Sequence, residues 1–271
     1  MAVRVEKSGP VWTVIHDRPE ARNAMDPASA DALVRTFLEF DADPSASVAV
    51  FWGAGGAFCA GWDLKFVSTL DAERPLGELD IPPAAPRDNG AGIPRGPLGP
   101  SRLELDKPVI AAVAGPAVAG GMELALWCDF RVMEEDAYFG VYCRRWGVPL
   151  IDGGTVRLPR IVGLGRALEI ILTGRKVPAE ECLALGLCEY VVPPGGAREK
   201  AEAIARDIAR FPQTCVRADR RSAIRGHGLP VREALIEEWY NGREALVTDG
   251  VAGAGRFRDG LGRHGNFDTI A

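Results

Sequence analysis

The sequence predicts an α/β fold whose strands are mostly parallel, and two observations support this prediction. First, residues 48–52 and 109–114 are continuous apolar runs, VAVFW and VIAAVA, which is typical of strands buried on both faces of a parallel sheet. Second, segments with helical periodicity alternate with these strands along the chain. That alternation is characteristic of parallel strands joined by helical crossovers.

The N-terminal elements are two short strands followed by a helix. Apolar residues alternate on both sides of a Gly-Pro turn at residues 9–10, which predicts a strand on each side. A helix is predicted from Pro27 to about Asp41, with Asp26 as its N-cap and Pro27 as its first residue. Its apolar positions have the spacing of one helix face: Ala30, Leu33, Val34, Phe37 and Leu38.

The remaining elements follow the same reasoning. A glycine-rich turn at residues 53–56 leads from the first buried strand to a short helix, and a Gly120-Gly121 pair leads from the second to a helix over residues 122–128. Another strand is predicted over residues 130–133. Beyond Gly147 the pattern is mainly helical, with a short strand at residues 188–192 and helices over residues 165–173, 179–185, 197–210 and 229–247.

Two segments rich in proline and glycine interrupt the series of predicted strands and helices. The run Pro-Pro-Gly-Gly at residues 193–196 is the strongest internal boundary. It predicts an α/β core over residues 1–194 and a helical region over residues 195–271. The segment from Asp71 to Asp106 holds seven prolines and five glycines, and a stretch of that length without a periodic pattern is expected to be a functional lid, a disordered loop, or both.

Composition excludes several classes of function. The chain has 271 residues and a formal net charge of −5, and without a basic stripe it is not expected to bind nucleic acid. Three dispersed histidines and six cysteines without a CxxC pair argue against a metal site. No apolar run is long enough to cross a membrane. Because there is no signal-peptide pattern, we expect a reduced, cytoplasmic protein.

Glu123 is the first candidate for chemistry, because it is the one charged residue in the apolar helix Met-Glu-Leu-Ala-Leu-Trp at residues 122–127. A buried carboxyl group has a raised pKa unless it is paired. Either Glu123 forms a structural ion pair with an arginine, or it is a general acid and base in an apolar cleft.

Two strand-to-helix turns, at Gly61-Trp62 and Gly120-Gly121, form a second candidate feature. Each turn leaves backbone N–H groups free at a helix N-terminus. Two such groups that converge would make an oxyanion hole. Each turn taken alone is weak support, since glycine at a tight turn is often a steric requirement.

Taken together, these features resemble the crotonase (enoyl-CoA hydratase/isomerase) superfamily. The resemblance covers roughly residues 3–265 in the order and spacing of that superfamily. It rests on four stretches: RPEARNAM at 18–25, AFCAGWDL at 57–64, KPVIAAV continuing to AGGMELA and CD within 107–129, and GGTVRLP at 153–159 with the segments that follow to residue 192.

The resemblance implies a β/α superhelix of repeated strand-strand-helix turns, with a C-terminal helical region that builds homotrimers or homohexamers. It also implies an acyl-CoA substrate, whose CoA is part of the substrate and not a permanently bound cofactor. The Trp62 and Gly120 N–H groups would bind the thioester oxygen. Positions around the CoA moiety correspond to these residues: Arg22, Ala24, Ala60 and Asp63. Arg22 could equally be a solvated surface residue.

One departure from the superfamily pattern concerns the second catalytic glutamate of its hydratases. Gap-free counting puts Cys143 at that position. The nearest replacement is Asp152, whose alternative role is to cap the following helix. The neighbouring residues Arg144, Arg145 and Trp146 could pair with Asp152 or with an acidic acyl group. Cys143 could be a nucleophile, although no histidine is near it in sequence.

The most direct expectation is therefore an enoyl-CoA hydratase that uses Glu123 as its acid and base. Isomerase, decarboxylase and acyl-CoA hydrolase activities remain open on the same fold. A protein that binds CoA thioesters without catalysis is the alternative of a different class. Retention of Glu123 favours an enzyme, whereas loss of the second glutamate favours the binding protein.

Overall fold

A six-stranded sheet forms the centre of the computed structural model, which describes residues 2–71, 79–81, 93–262 and 264. Its strand order is β1-β2-β3-β4-β6-β9, and a second sheet has the order β5-β7-β8. The strands are β1 (Val3–Ser8), β2 (Val11–His16), β3 (Val48–Gly53), β4 (Val109–Val113), β5 (Pro116–Val118), β6 (Phe130–Glu134), β7 (Tyr138–Gly140), β8 (Lys176–Pro178) and β9 (Tyr190–Val192).

The pairing confirms the predicted α/β class. β2 pairs in parallel with β3, β3 with β4, β4 with β6 and β6 with β9. β1 is antiparallel to β2 across the predicted turn. In the small sheet β7 is parallel to β5 and antiparallel to β8. The carboxyl ends of β3 and β4 therefore lie side by side, and the two turns singled out in the sequence follow these strands.

Ten α-helices lie in the described residues. They are α1 (Pro27–Ala42), α2 (Leu64–Val67), α3 (Gly120–Trp127), α4 (Gly154–Val162), α5 (Leu164–Thr173), α6 (Ala179–Leu185), α7 (Ala197–Ala209), α8 (Gln213–Gly226), α9 (Val231–Ala245) and α10 (Val251–Arg258). α1 begins as predicted, because Asp26 Oδ1 accepts a hydrogen bond of 2.8 Å from Ser29 N.

The sequence did not predict α8, α10 or the three strands of the small sheet. No residue of α10 is buried. In α8 only Ala218 is buried, so the segment lacks the periodic apolar face from which a helix is inferred. The strands β5, β7 and β8 have three residues each. Runs this short carry no measurable alternation.

The packing of α7 bears on the predicted boundary at residue 194. Ala197, Ala201 and Ala205 are buried in a cluster with residues of β2, β3, β4 and β6, so α7 covers one face of the large sheet. A division into residues 1–194 and 195–271 stays a prediction. By their contacts, α8 and α9 form the next unit, since they pack chiefly against each other.

Part of the Pro/Gly-rich segment predicted as a lid, a disordered loop, or both lies outside the described residues, namely positions 72–78 and 82–92. The described residues 93–106 contain a turn in which Gly96 and Gly99 exchange backbone hydrogen bonds of 3.0 and 2.9 Å. A short 3-10 helix, Pro100–Arg102, follows. This segment packs beside α3, and it reaches the site described below. No helix among the described residues is long and apolar enough to span a membrane.

Candidate active site

Glu123 lies in the first turn of α3 and is 2% exposed. Its Oε1 atom accepts hydrogen bonds from Asp152 N at 2.9 Å and Gly154 N at 2.7 Å. Burial raises the pKa of Glu123 to about 7, and the negative charge of Asp152 adds to the rise. No ion pair of Glu123 with an arginine is present among the described contacts. The carboxyl group is therefore poised to exchange a proton near neutral pH.

Asp152 lies beside Glu123 in the loop before α4 and is 1% exposed. Its Oδ1 atom accepts a hydrogen bond of 3.1 Å from Leu98 N and a short one from Ser101 Oγ. Oδ2 is buried and has no partner in the described structure. Burial raises the pKa of Asp152 above its usual value. Two carboxyl groups thus share one apolar region.

The two predicted turns are in contact. A Cβ atom built on Gly61 would lie 3.1 Å from Gly120 N and 2.9 Å from Ala119 Cβ, so only glycine permits this approach. Met25 pairs with the backbone on both sides of Trp62, through Gly61 O and Asp63 N, which leaves the Trp62 N–H out of the ladder. Gly120 begins α3, and its N–H has no carbonyl one turn earlier.

The backbone that aims the Gly120 N–H is unusual at Ala119. This residue has φ +55° and ψ −125°, a region in which an L-residue is strained by about 1–3 kcal/mol. Its N–H donates to Gly140 O at 2.7 Å. Backbone strain of this kind concentrates at functional sites, where the surrounding structure holds it in place.

One cleft brings most of the predicted residues together. Glu123, Asp152, Trp62, Gly120 and Cys143 all line it. Its other walls are mainly apolar: Ala60, Leu64, Leu98, Ala119, Tyr142, Trp146, Val148, Pro149 and Ile151. Burial raises the pKa of the Cys143 thiol, and the charge of Glu123 adds to the rise. A thiol in this state is a poor nucleophile, because the thiolate is the reactive form.

The residues predicted to surround CoA lie beside this cleft. Ala60 lines the cleft, and its N–H donates to Arg22 O at 3.0 Å. Arg22 is exposed with φ +52°, and Ala24 is half-buried next to it. The carboxylate of Asp63 is engaged within the protein, because it caps α2.

Arg18 contacts the segment that holds Arg22 and Ala24. It lies 3.2 Å from Asp63 Oδ2 and 3.3 Å from Asp26 Oδ2. It also donates a hydrogen bond of 2.5 Å to Ala24 O. Arg18 therefore fixes the segment that carries Arg22 and Ala24.

The suggested pairing of Arg144, Arg145 or Trp146 with Asp152 is absent. Arg144 Nε lies 3.4 Å from Ile171 O, and the Arg145 guanidinium stacks on Tyr142 at 4.2 Å. Both arginines are exposed on their 3-10 helix. Within the described residues, no three His, Cys, Asp or Glu side chains gather as a metal site.

Comparison with known proteins shows the family to which this chain belongs. The family model for enoyl-CoA hydratase/isomerase matches residues 6–75 and 101–230. The chain belongs to this family. Enoyl-CoA hydratase EchA19 of Mycobacterium tuberculosis is 34% identical over 252 residues, which cover 90% of this chain and 88% of the relative. The (E)-benzylidenesuccinyl-CoA hydratase of Thauera aromatica is 33% identical over 237 residues, 87% of each chain.

Solved structures of the enoyl-CoA hydratase/isomerase family are similar to this chain in fold. An enoyl-CoA hydratase from Mycobacterium tuberculosis H37Rv has a TM-score of 0.84 and 32% identity, and the match covers 95% of this chain and 96% of that one. Another, from Mycobacterium marinum, has a TM-score of 0.83 and 32% identity with the same coverage. The predicted crotonase-type fold with a C-terminal helical region is thereby confirmed.

Four residues that shape the cleft of this family member were not predicted from the sequence. Gly154 holds Glu123 through its N–H, and Leu98 and Ser101 hold Asp152. Ala119 sets the direction of α3. Leu98 and Ser101 were hidden within the Pro/Gly-rich segment, and their only signal was their apolar and hydroxyl character. No sequence signal marks Ala119, since alanine rarely adopts positive φ.

Proposed function

We propose that the protein is an acyl-CoA hydratase that adds water to a 2-enoyl-CoA thioester. One observation carries this proposal: a buried glutamate, Glu123, shares an apolar cleft with two backbone N–H groups from adjacent turns, those of Trp62 and Gly120. This combination suits a reaction in which negative charge develops on a thioester oxygen while a proton moves at the neighbouring carbon.

In this proposal the thioester oxygen accepts hydrogen bonds from Trp62 N and Gly120 N. Water adds to the β-carbon, and the electron pair of the double bond moves onto that oxygen as an enolate. Fixed N–H donors stabilise such charge without reorganisation, and the loss of one donor in a comparable hole costs about 3–4 kcal/mol. The N-terminus of α3 contributes its dipole at the same point.

Glu123 supplies the proton transfer to the enolate carbon. Its pKa of about 7 leaves a large fraction of the carboxyl groups protonated at neutral pH, which suits a general acid. The hydrogen bonds from Asp152 N and Gly154 N both reach Oε1. They leave Oε2 available to the substrate.

The CoA part of the substrate is proposed to lie along the segment that holds Arg22, Ala24 and Ala60. The exposed guanidinium of Arg22 suits a phosphate group. Asp63 contributes indirectly in this arrangement, because it fixes Arg18 behind the segment. No permanently bound cofactor is needed for this chemistry. A homotrimer or homohexamer and a cytoplasmic location complete the proposal.

Incubation of the purified protein with a panel of 2-enoyl-CoA thioesters tests this function. We expect a product heavier by one water, detected by mass spectrometry, and a loss of the enoyl absorbance. The acyl chain would be varied in length and branching, since the sequence leaves acyl identity open. Release of free CoA instead would support a hydrolase, and a shift of the double bond without water would support an isomerase.

The Glu123→Gln variant tests the assigned acid. It keeps the size of the side chain and an acceptor for the two N–H groups, and it removes the transferable proton. We expect turnover to fall at least about 100-fold, the lower end for loss of a general acid, while CoA binding measured by calorimetry is unchanged. Full activity in this variant would contradict the assignment, and an inactive wild type that still binds CoA thioesters would support a binding protein.

A further inference from the structure

The second buried carboxyl group of the cleft has no part in the proposed function so far. Asp152 lines the cleft with Glu123, is 1% exposed, and has one oxygen, Oδ2, without a partner in the described structure. A buried polar atom without a hydrogen bond is costly, and in native proteins it calls for a specific explanation.

Both carboxyl groups are anchored in the same manner. Glu123 receives two N–H donors on Oε1. Asp152 receives Leu98 N and Ser101 Oγ on Oδ1. In each group one oxygen is therefore fixed by the protein, and the other accepts nothing from the described residues. Such anchoring sets the direction of a side chain and keeps one oxygen for a ligand.

Asp152 does not serve as the cap of α4. The N-cap of that helix is Gly153, and no side chain caps it. The hydrogen bonds from Leu98 N and Ser101 Oγ both reach Asp152 Oδ1. An asparagine at position 152 would provide the same acceptor. Holding Leu98 and Ser101 in place therefore accounts for Oδ1 of Asp152. It does not account for the buried Oδ2 atom, which has no partner in the described structure.

We propose that Asp152 is the second catalytic carboxyl group and that its free Oδ2 atom holds and deprotonates the attacking water, while Glu123 gives its proton to the α-carbon. The inference rests on the proposed hydratase function. It assigns to this chain a carboxyl pair in which the second member comes from the loop before α4 and not from position 143, where Cys143 stands.

The water oxygen forms a bond to the β-carbon and loses one proton to Asp152. The π electrons move to the thioester oxygen at Trp62 N and Gly120 N. As the thioester carbonyl re-forms, the α-carbon takes the proton of Glu123. One water has been added, and a proton transfer from Asp152 to Glu123 through water restores the starting state.

Charged groups around the pair are compatible with this division of roles. Arg157, on α4, donates to Asp152 O at 3.0 Å and to Ser101 O at 2.8 Å. Burial raises the pKa of Asp152, and the charges of Arg102 and Arg157 offset part of that rise. Asp152 in turn raises the pKa of Glu123, which favours the protonated form that a general acid needs. The nearby thiols of Cys59 and Cys143 stay protonated.

Ser101 is a positioning residue in this arrangement. Its hydroxyl donates to Oδ1, which stabilises the charged form of Asp152 and fixes the rotation of the carboxylate. A Cβ atom on Gly96 would lie 2.5 Å from Asp152 Oδ1, so the backbone of residues 96–101 is closely fitted to the same group.

The Asp152→Asn variant tests the proposal, because it keeps the acceptor for Leu98 N and Ser101 and removes the base. We expect kcat for a 2-enoyl-CoA to fall by about 100- to 10,000-fold, the usual contribution of general base catalysis, with KM and the melting temperature little changed. Asp129→Asn is the matched control. Asp129 binds Val109 N and Arg220 outside the cleft, and its variant should retain wild-type kcat.

The pH dependence of kcat/KM gives a second, independent readout. The wild type should show a bell with an acid limb from Asp152 and an alkaline limb near pH 7 from Glu123. Ser101→Ala should move the acid limb to higher pH, and Ser101→Thr should restore it. In Asp152→Asn the alkaline limb should move to lower pH, since Glu123 loses a neighbouring charge.

Defined results would overturn the proposal. An active wild type with undiminished kcat in Asp152→Asn would reject Asp152 and leave the hydratase function standing. If kcat/KM of the wild type showed no acid limb, Asp152 would also be rejected as the base, even if Asp152→Asn failed to fold. A wild type inactive on every 2-enoyl-CoA would instead reject the proposed function, and this inference with it.

Discussion

At the scale of single residues, His16 is an unusual buried group outside the cleft. It lies at the end of β2, is fully buried, and neither ring nitrogen has a partner in the described structure. Burial lowers the pKa of His16 to about 4, and the charge of Arg18 lowers it further. The imidazole is therefore neutral in the folded protein throughout the neutral range.

His16 should make stability depend on pH. The unfolded chain binds a proton at this residue below about pH 6.5, whereas the folded protein does so only below about pH 4. Stability should thus be lost as pH falls from 6.5 to 4, by about 3 kcal/mol in total. Urea unfolding of the wild type and His16→Leu across this range measures the difference. A constant difference between the two proteins would contradict the prediction.

At the scale of elements, the approach of α3 to the first turn depends on Gly121. A Cβ atom there would lie 2.0 Å from Cys59 O, and that oxygen is backbone, which cannot move aside cheaply. The contact brings the start of α3 against the segment that carries Trp62. It therefore controls the spacing of the two N–H groups.

The Gly121→Ala variant should separate the two turns. We expect kcat to fall by at least about 100-fold, as when one oxyanion donor is lost, and stability to fall by about 1–3 kcal/mol through overpacking. Gly165→Ala in α5 is the control, because a Cβ atom there meets nothing within 4 Å. That change should leave activity intact and add up to about 1 kcal/mol of stability. Equal effects of the two substitutions would refute the argument.

At the scale of the whole molecule, the C-terminal helices expose large apolar side chains. On α9 these are Val231, Leu235, Ile236, Trp239 and Tyr240, each between 48% and 77% exposed. Exposed apolar area of this extent is typical of a surface that a partner covers. A second and third copy of this chain are the partners that the predicted trimer requires.

Sedimentation or light scattering should find about three or six times the 29.0 kDa of one chain. Trp239→Glu should lower that mass, because a charge at a buried contact is costly. Leu38→Glu on α1 is a matched change at an exposed apolar residue and should leave the assembly intact. A monomeric wild type would contradict the prediction.

The sequence was most informative where a local chemical rule operates. Asp26 marks the start of α1 because its side chain satisfies a free N–H at the helix end. The parallel strands show as apolar runs because both faces of each strand are covered. Glu123 is conspicuous in the sequence because burying a carboxylate within an apolar helix is unfavourable unless the group is paired. Each of these signals depends on neighbours in the chain.

Which groups lie next to each other in the cleft depends on contacts between distant parts of the chain. Asp152 and Glu123 are 29 residues apart, and Ser101 reaches Asp152 across 51 residues, so no local pattern links them. The positive φ of Ala119 is likewise imposed by packing, against its own preference. Sequence thus determined the fold class, the family resemblance and the first carboxyl group. The direction and surroundings of both carboxyl groups depend on long-range contacts, because burial and hydrogen bonding are properties of the folded chain.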